Sequence, residues 1–310
     1  MAQGSGSMQP LSAGNIVSAA YRLYKSHLQQ YLGIALTATL WGFLPFGALI
    51  LVIILMSVGK SGGLNVLLLV AWAVLLCYCA AQALMNTALI SRLAFQELTE
   101  QPETVISARN QLRSKVWKFF VTQFLVTLLL SAVNFGLSLL QGFVLQVLSG
   151  ALGSSNALVA LLAIILNLVT LGLYLWFYAR VFIPEVPLAL ESGIGSSQAI
   201  SRSWELSKGY SGRIWLVILL ATLITIPVYI IALLPSLGMA GTIFTTAINP
   251  TGAQADLLFA FLRAFALTMV LLLVINIFVM PFWQSIKALL YYDLRSRREG
   301  LGLQFRDRKS

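Results

Sequence analysis

Residues 157–183 read ALVALLAIILNLVTLGLYLWFYARVFI, and no charged side chain interrupts the run before Arg180. Wound as a helix at 1.5 Å per residue, the stretch is about 40 Å long. That exceeds the hydrocarbon core of a bilayer, roughly 30 Å thick. As a strand it would leave peptide N–H and C=O groups unpaired in lipid, so it reads as a membrane-spanning helix. Five further runs share its length and lack of charge, at residues 31–58, 64–91, 119–148, 214–239 and 257–282. Six spans are therefore expected and no strands. Pro45, Pro227 and Pro235 fall within or near the ends of these runs and predict kinks or breaks.

Composition agrees independently. The 310 residues are 59% hydrophobic and 10% charged, against about 25% charged in a soluble domain, and the mean hydropathy is +0.87. These values exclude a water-soluble globular protein. With one histidine (His27), two cysteines and ten carboxylates, most metal-dependent and acid–base chemistries lack their parts. Cys77 and Cys79 are two apart on an apolar helix, so their side chains diverge; neither a disulfide nor a redox pair is expected. His27 has no second histidine or thiolate cluster to share a metal. No GxSxG, Walker loop, HExxH or GxGxxG at a strand-to-helix junction is found, and nucleic-acid binding has no supporting signature.

Residues 1–10 are small and polar and are expected to be disordered. The first apolar run is too long for a signal-peptide core and reads as a retained span. The connections then alternate in character. Those after the first, third and fifth spans (SVGKSGG, SGALGSS and the stretch from Pro235 to Asp256) are Gly-, Ser-, Thr- and Asn-rich and carry only Lys60 and Asp256. The other side receives 18 of the 20 basic residues, leaving Lys60 and the span-embedded Arg263. By the positive-inside rule both termini and both long linkers are cytoplasmic, or stromal if the membrane is a thylakoid.

The basic segments have helical periodicity of their own. Ile16, Ala20, Leu23, Tyr24 and Leu28 share one face of residues 14–28, with Arg22, Lys25 and His27 elsewhere. Residues 102–118 (PETVISARNQLRSKVWK) and 196–213 (SSQAISRSWELSKGYSGR) are similar. Each is expected to be an amphipathic helix lying in the interface before a span. Aromatic-x-Leu-x-Lys recurs at Tyr21 to Lys25 and at Trp204 to Lys208, 183 residues apart, with a degenerate copy around Leu112 to Lys115. The fold class read from this is an all-α integral membrane protein. One transmembrane domain, 11–300, would contain three units at about 11–101, 102–191 and 192–300, each an interfacial helix and a two-span hairpin, followed by a basic tail, 301–310.

Two segments resemble a known family. The stretch IPEVPLALESGIGSSQAISRSWELSKGYSGRIW from Ile183 presents Pro184 and Pro187, Glu191 with Gly193 or Gly195, and Ser203, Trp204, Leu206, Lys208 and Gly209. Near the C-terminus, Tyr291-Tyr292-Asp293-Leu294-Arg295 precedes Arg298-Glu299-Gly300. These are similar to bacterial membrane proteins related to the membrane domain of glycerophosphoryl diester phosphodiesterases. The motifs occupy about residues 183–215 and 285–300. The phosphodiesterase site of such proteins belongs to a separate soluble barrel with histidines and carboxylates around a divalent metal, for which this chain has no room. The resemblance therefore implies a polytopic module of the plasma membrane (or thylakoid), concerned with membrane lipids or with assembly of other membrane proteins, and no hydrolase.

Candidate sites follow from charge. Clusters of basic and aromatic residues beside a bilayer attract anionic headgroups. The candidate lipid- or partner-binding set is Arg22, Lys25, Arg113, Lys118, Arg202, Trp204, Lys208, Arg213, Arg295, Arg297 and Arg298, with Arg306, Arg308 and Lys309 in the tail. Glu185, between two prolines, either binds a cation or proton, or is a helix-end partner of Arg180 or a solvated charge; the latter two are favoured. Arg263 either reaches inward to a polar partner, with Asp256 sharing its face, or snorkels to the headgroups. Gln82, Asn86, Gln123, Asn134, Gln141, Asn167 and Asn276 are expected to bond across helices as structural glue. The expected function is a non-catalytic membrane module without a cofactor that binds anionic lipid or docks a membrane protein; the alternative is a small transporter or lipid-translocating protein.

Overall fold

A computed structural model describes residues 12–58, 62–153, 157–248 and 254–299, with backbone alone over 242–248 and 254–258. Every regular element among them is an α-helix. In chain order these are α1 (Ala13–Ser26), α2 (Leu28–Val58), α3 (Gly62–Leu98), α4 (Val105–Arg113) and α5 (Val116–Leu152). They are followed by α6 (Ala157–Arg180), α7 (Glu185–Leu190), α8 (Ser196–Ser207), α9 (Ser211–Ile248) and α10 (Gln254–Glu299). Six helices are long and apolar enough to cross a membrane: α2, α3, α5, α6, α9 and α10.

Local chemistry sets the boundaries of the shorter helices. Ser12 opens α1 by accepting the Asn15 N–H on its Oγ at 3.2 Å, and Thr104 does the same for Ser107 at the start of α4, at 3.3 Å. Each side chain satisfies one of the donors that a helix start leaves unpaired. At α8 the roles reverse, and the Gln198 carbonyl oxygen accepts the Gly195 N–H at 2.7 Å. Between α8 and α9 the chain reverses through Gly209 at φ +86°, a left-handed conformation in which a β-carbon would be strained.

The long helices pack in sequence-adjacent pairs: α2 on α3, α5 on α6 and α9 on α10, with α10 also against α2 and α3. Through most of their length they are clothed in exposed apolar side chains, such as Phe135 and Phe143 on α5 and Ile164 and Leu168 on α6. This is the surface expected of a chain whose solvent is lipid. The close-packed core lies at the basic end. There Ile16 of α1, Leu89 and Ile90 of α3, Leu112 of α4, Leu188 of α7, Leu206 of α8, Ile214 of α9 and Ile286 of α10 form one buried cluster.

Several expectations are corrected. Within the segment expected as a connection from Pro235 to Asp256, residues 235–248 belong to α9 and residues 254–256 to α10; 249–253 lie outside the described residues. Helices α3 and α10 run past the ends of their apolar runs, from residue 91 to Leu98 and from 282 to Glu299, because the core buries apolar side chains of these extensions, among them Leu93, Phe95, Leu290 and Leu294. Pro45, Pro227 and Pro235 sit inside continuous helices and break none of them. Helix α7 was not foreseen. The buried residues of α1, including Ile16, Ala20 and Leu23, face protein, against α9 and α10. The polar start, Lys60 and the basic tail with Arg306, Arg308 and Lys309 lie outside the described residues.

Truncating a fully buried core side chain should differ sharply from truncating a lipid-facing one. We expect Leu89→Ala to lower stability by about 2–5 kcal/mol. Leu67→Ala, at a side chain 67% exposed, should have little effect on unfolding midpoints in the same detergent.

Candidate functional site

The strongest polar arrangement is centred on a residue that the charge pattern counts only as one cation among many. Arg92 lies in the apolar stretch ALISRLAF of α3 and is 8% exposed. Its Nε donates to Glu103 Oε2 at 2.8 Å, and its two terminal nitrogens donate to the Ala189 carbonyl and to Gln111 Oε1, each at 2.6 Å. Glu103 Oε1 in turn accepts from Ser107 and Gln111. One guanidinium thus joins α3, α4 and α7. Lys115 supports the same corner, its Nζ donating to the carbonyls of Leu188 and Glu191 at 2.9 Å, where α7 ends. A cation there meets carbonyls that the helix leaves without partners. Burial lowers the proton affinity of Lys115, and repulsion from Arg92 and Lys118 adds to that.

A second network joins α7, α8 and α10. Arg202 donates to Glu191 at 3.1 Å and also pairs with Glu299; Tyr291 donates to Glu191 at 2.7 Å and Arg295 to Glu299 at 2.7 Å. Burial disfavours the charge of Arg202, but its bonds to Glu191 and Glu299 outweigh that and raise its pKa. Arg213 and Arg297 both donate to Asp293 Oδ2 at 3.0 Å, and Asp293 is 3% exposed. Lys287 holds Glu185 at 2.7 Å and stands over the Phe182 ring, 5.1 Å from its centroid. The partner of Glu185 is therefore Lys287 of α10, and the expected pair with Arg180 does not form.

These bonds divide the predicted lipid-binding set. Arg202, Arg213, Arg295 and Arg297 are committed to carboxylates inside the protein. Arg22, Lys25, Arg113, Lys118, Lys208 and Arg298 are exposed and make no ion pair among the described residues. Lys118 and Arg298 each reach a backbone carbonyl, that of Ile194 at 3.4 Å and that of Lys208 at 2.5 Å.

Arg180 belongs to neither group. It is 8% exposed, and its Nε and Nη1 are buried without a hydrogen-bond partner. The guanidinium carbon stands 4.8 Å from the Trp176 ring centroid and 5.4 Å from that of Trp204, the two indoles meeting edge to face. Two such cation–π contacts offset part of the desolvation, up to about 2 kcal/mol each, but they supply no acceptor for the N–H groups. Trp204 is fixed because Ser203 and Ser207 of α8 donate to the Arg180 carbonyl, at 2.9 and 3.4 Å.

Within the spans, the amides do not act uniformly as glue. Gln141 accepts from Thr170 at 3.3 Å across α5 and α6, Arg109 bonds Asn86 at 3.3 Å, and Asn276 reaches Thr39 at 3.5 Å. Gln82 donates only to Tyr78 of its own helix. Asn134 has no partner among the described residues and lines an open cleft of about 250 Å³ between α5 and α6, with Ser138, Gln141, Asn167, Thr170 and Tyr174. Arg263 is exposed and bonds the Phe259 carbonyl of its own helix at 3.3 Å; the side chain of Asp256 lies outside the description. His27 is 3.7 Å from Glu97 and stacks on Tyr31. Cys77 and Cys79 are both free thiols. No cluster of metal-ligating side chains occurs among the described residues.

Six apolar helices of spanning length and a charged core at one end define the class, a multi-pass α-helical membrane protein. Compared with protein-family models, with curated proteins and with solved structures, the chain finds no match in any of the three.

Two outcomes follow from these networks. Glu103→Ala should cost about 3–5 kcal/mol, since it leaves Arg92 buried without its counter-charge, whereas Arg22→Ala should change stability by less than about 0.5 kcal/mol. Because Lys115 binds its proton less tightly when folded, its contribution is present above the unfolded value of 10.5 and is lost as pH falls through the folded pKa. The stability of the wild type relative to Lys115→Met should therefore rise as pH approaches 10.5 in chemical-denaturation titrations.

Proposed function

We propose that the protein is a non-catalytic membrane module whose basic side faces the cytoplasm and holds anionic lipid. The observation that carries this reading is the division of its cations. Four of the predicted set are neutralised internally, while Arg22, Lys25, Arg113, Lys118, Lys208 and Arg298 remain exposed without carboxylate partners among the described residues. A surface on which these cations outnumber the exposed carboxylates Glu97, Glu100 and Glu205 gains about 1 kcal/mol per cation from anionic headgroups. Helices α1, α4 and α8 serve as interfacial helices in this reading, with their exposed charges toward the headgroups and their apolar sides on the protein. The family resemblance of residues 183–215 and 285–300 points the same way, toward lipids or assembly rather than hydrolysis.

A second reading, lipid translocation, is favoured by one observation. The cleft between α5 and α6 places Asn134, Ser138 and Asn167 at exposed positions within apolar helices; Asn167 donates to the Ala163 carbonyl at 2.8 Å, while Asn134 has no partner among the described residues, which is costly in lipid. A headgroup crossing the bilayer would supply one. Fluorescent-lipid exchange in reconstituted vesicles, lost in Asn134→Leu/Asn167→Leu, would move the assignment to this reading.

The test of the first reading is lipid retention in detergent and in native-lipid particles, read by mass spectrometry. We expect phosphatidylglycerol to be retained over phosphatidylcholine. Combined Arg22→Gln, Lys25→Gln and Arg113→Gln should weaken binding about a hundredfold, with weaker binding also at high salt. Arg295→Gln/Arg297→Gln should instead lower stability, because those residues hold the core. Equal retention of both lipids would overturn the reading, and a stoichiometric protein partner in its place would assign the exposed cations to docking.

A further inference from the structure

Arg180 ends α6 at the basic side, beside the exposed Trp176 and beneath Trp204 of α8. It differs from the two other charged side chains buried to the same depth, Arg92 and Asp293. Arg92 has three acceptors and Asp293 two donors, whereas Nε and Nη1 of Arg180 have none. A guanidinium carries five N–H donors in a planar fork and cannot shed its charge, so burial without acceptors leaves it wanting an anion. At the same end of α6, Arg298 donates to the Lys208 carbonyl at 2.5 Å, one residue beyond Ser207, whose hydroxyl bonds the Arg180 carbonyl. Glu185 is bound to Lys287 and Glu191 to Arg202, and Arg180 forms no ion pair among the described residues. A nine-tenths buried, unsatisfied cation beside two indoles and a second, exposed cation held one residue from Ser207 therefore gather at the end of α6.

We propose that Arg180 and Arg298, walled by Trp176 and Trp204, form a specific binding site for one phosphate-bearing anion, supplied by the headgroup of an anionic phospholipid. The planar fork suits the paired oxygens of a phosphodiester. Trp176, 40% exposed at the end of a spanning helix, places the site at the depth where tryptophans meet headgroups and leaves the acyl chains to lie along α6. The inference rests on the lipid-binding reading and sharpens it, adding one defined position to a diffuse basic surface.

The experiment compares the wild type with Arg180→Gln, Arg180→Lys and Arg298→Gln in two readouts: native mass spectrometry with added phosphatidylglycerol or phosphatidylcholine, and thermal unfolding with the same lipids or with inorganic phosphate. In the wild type one phosphatidylglycerol should be retained more tightly than the rest and should raise the unfolding temperature. Arg180→Gln should weaken that one copy at least about tenfold and abolish the lipid-dependent rise, while the weaker copies remain. Arg180→Lys, which keeps the charge without the fork, should restore part of the effect. Arg298→Gln, at an exposed position that the fold does not require, should weaken the same copy and keeps the test valid if Arg180→Gln does not fold. If the lipid-dependent rise is unchanged in the Arg180 and Arg298 variants, this site is overturned while the wider lipid-binding reading stands. Stabilisation by inorganic phosphate without preference for the lipid, lost in Arg180→Gln, would keep the anion site, overturn its lipid source and remove support from the wider reading. No stabilisation of the wild type by either anion would overturn both.

Discussion

Lipid gives an apolar helix no reason to prefer another helix over an acyl chain, so burial of greasy surface cannot by itself hold six spans together. In this protein the difficulty is met at one end. The spans contact one another in pairs and expose most of their side chains, whereas the core gathers the ends of α3, α6 and α10, the starts of α5 and α9 and the short helices α1, α4, α7 and α8. In that aqueous-side layer the hydrophobic effect operates again, and charges fix which helix end meets which. Arg92 shows how: its three bonds lead to two neighbouring helices, and each acceptor is set by a short capped or turned segment.

The charge arithmetic gains a structural meaning from this. A net charge of +10 looks like a uniform attraction for anionic surfaces, yet the core uses its carboxylates to select particular cations and leaves others outward. Glu103, Glu185, Glu191, Asp293 and Glu299 all lie in ion pairs that join helices or brace α10. Position in sequence does not separate the two groups, since Arg297 is bound to Asp293 while its neighbour Arg298 is exposed. Their separation depends on the direction each side chain takes around α10, where one residue is a turn of roughly 100°.

The fold class was legible because length and charge are one-dimensional properties. Residues 157–183 announce a span with no knowledge of their neighbours, and the six runs correspond to the six long helices. What the residues could not disclose was pairing across distance. Arg180 and Glu185 are five apart and look like partners, but α6 ends between them and the chain turns, so Lys287, 102 residues away, takes the carboxylate. Arg92 offered one signal, a charge flanked by apolar residues on a helix extending beyond its span. The loop expected between Pro235 and Asp256 failed for a different reason: Gly, Pro and Thr weaken helices in water but far less in a membrane, where an unmade backbone bond costs more than a poor propensity.

The packing of α1 bears on the order of events during synthesis. Its buried residues, from Ala13 to Leu23, lie against α9 and α10, so α1, made well before them, waits for both before its apolar side is covered. Until then the apolar side of α1 is uncovered, although the three acceptors of Arg92, on Glu103, Gln111 and Ala189, all precede α9. A chain lacking α10 would retain spans able to insert and the Arg92 network, yet would lose the helix against which α1, α2, α3 and α9 pack.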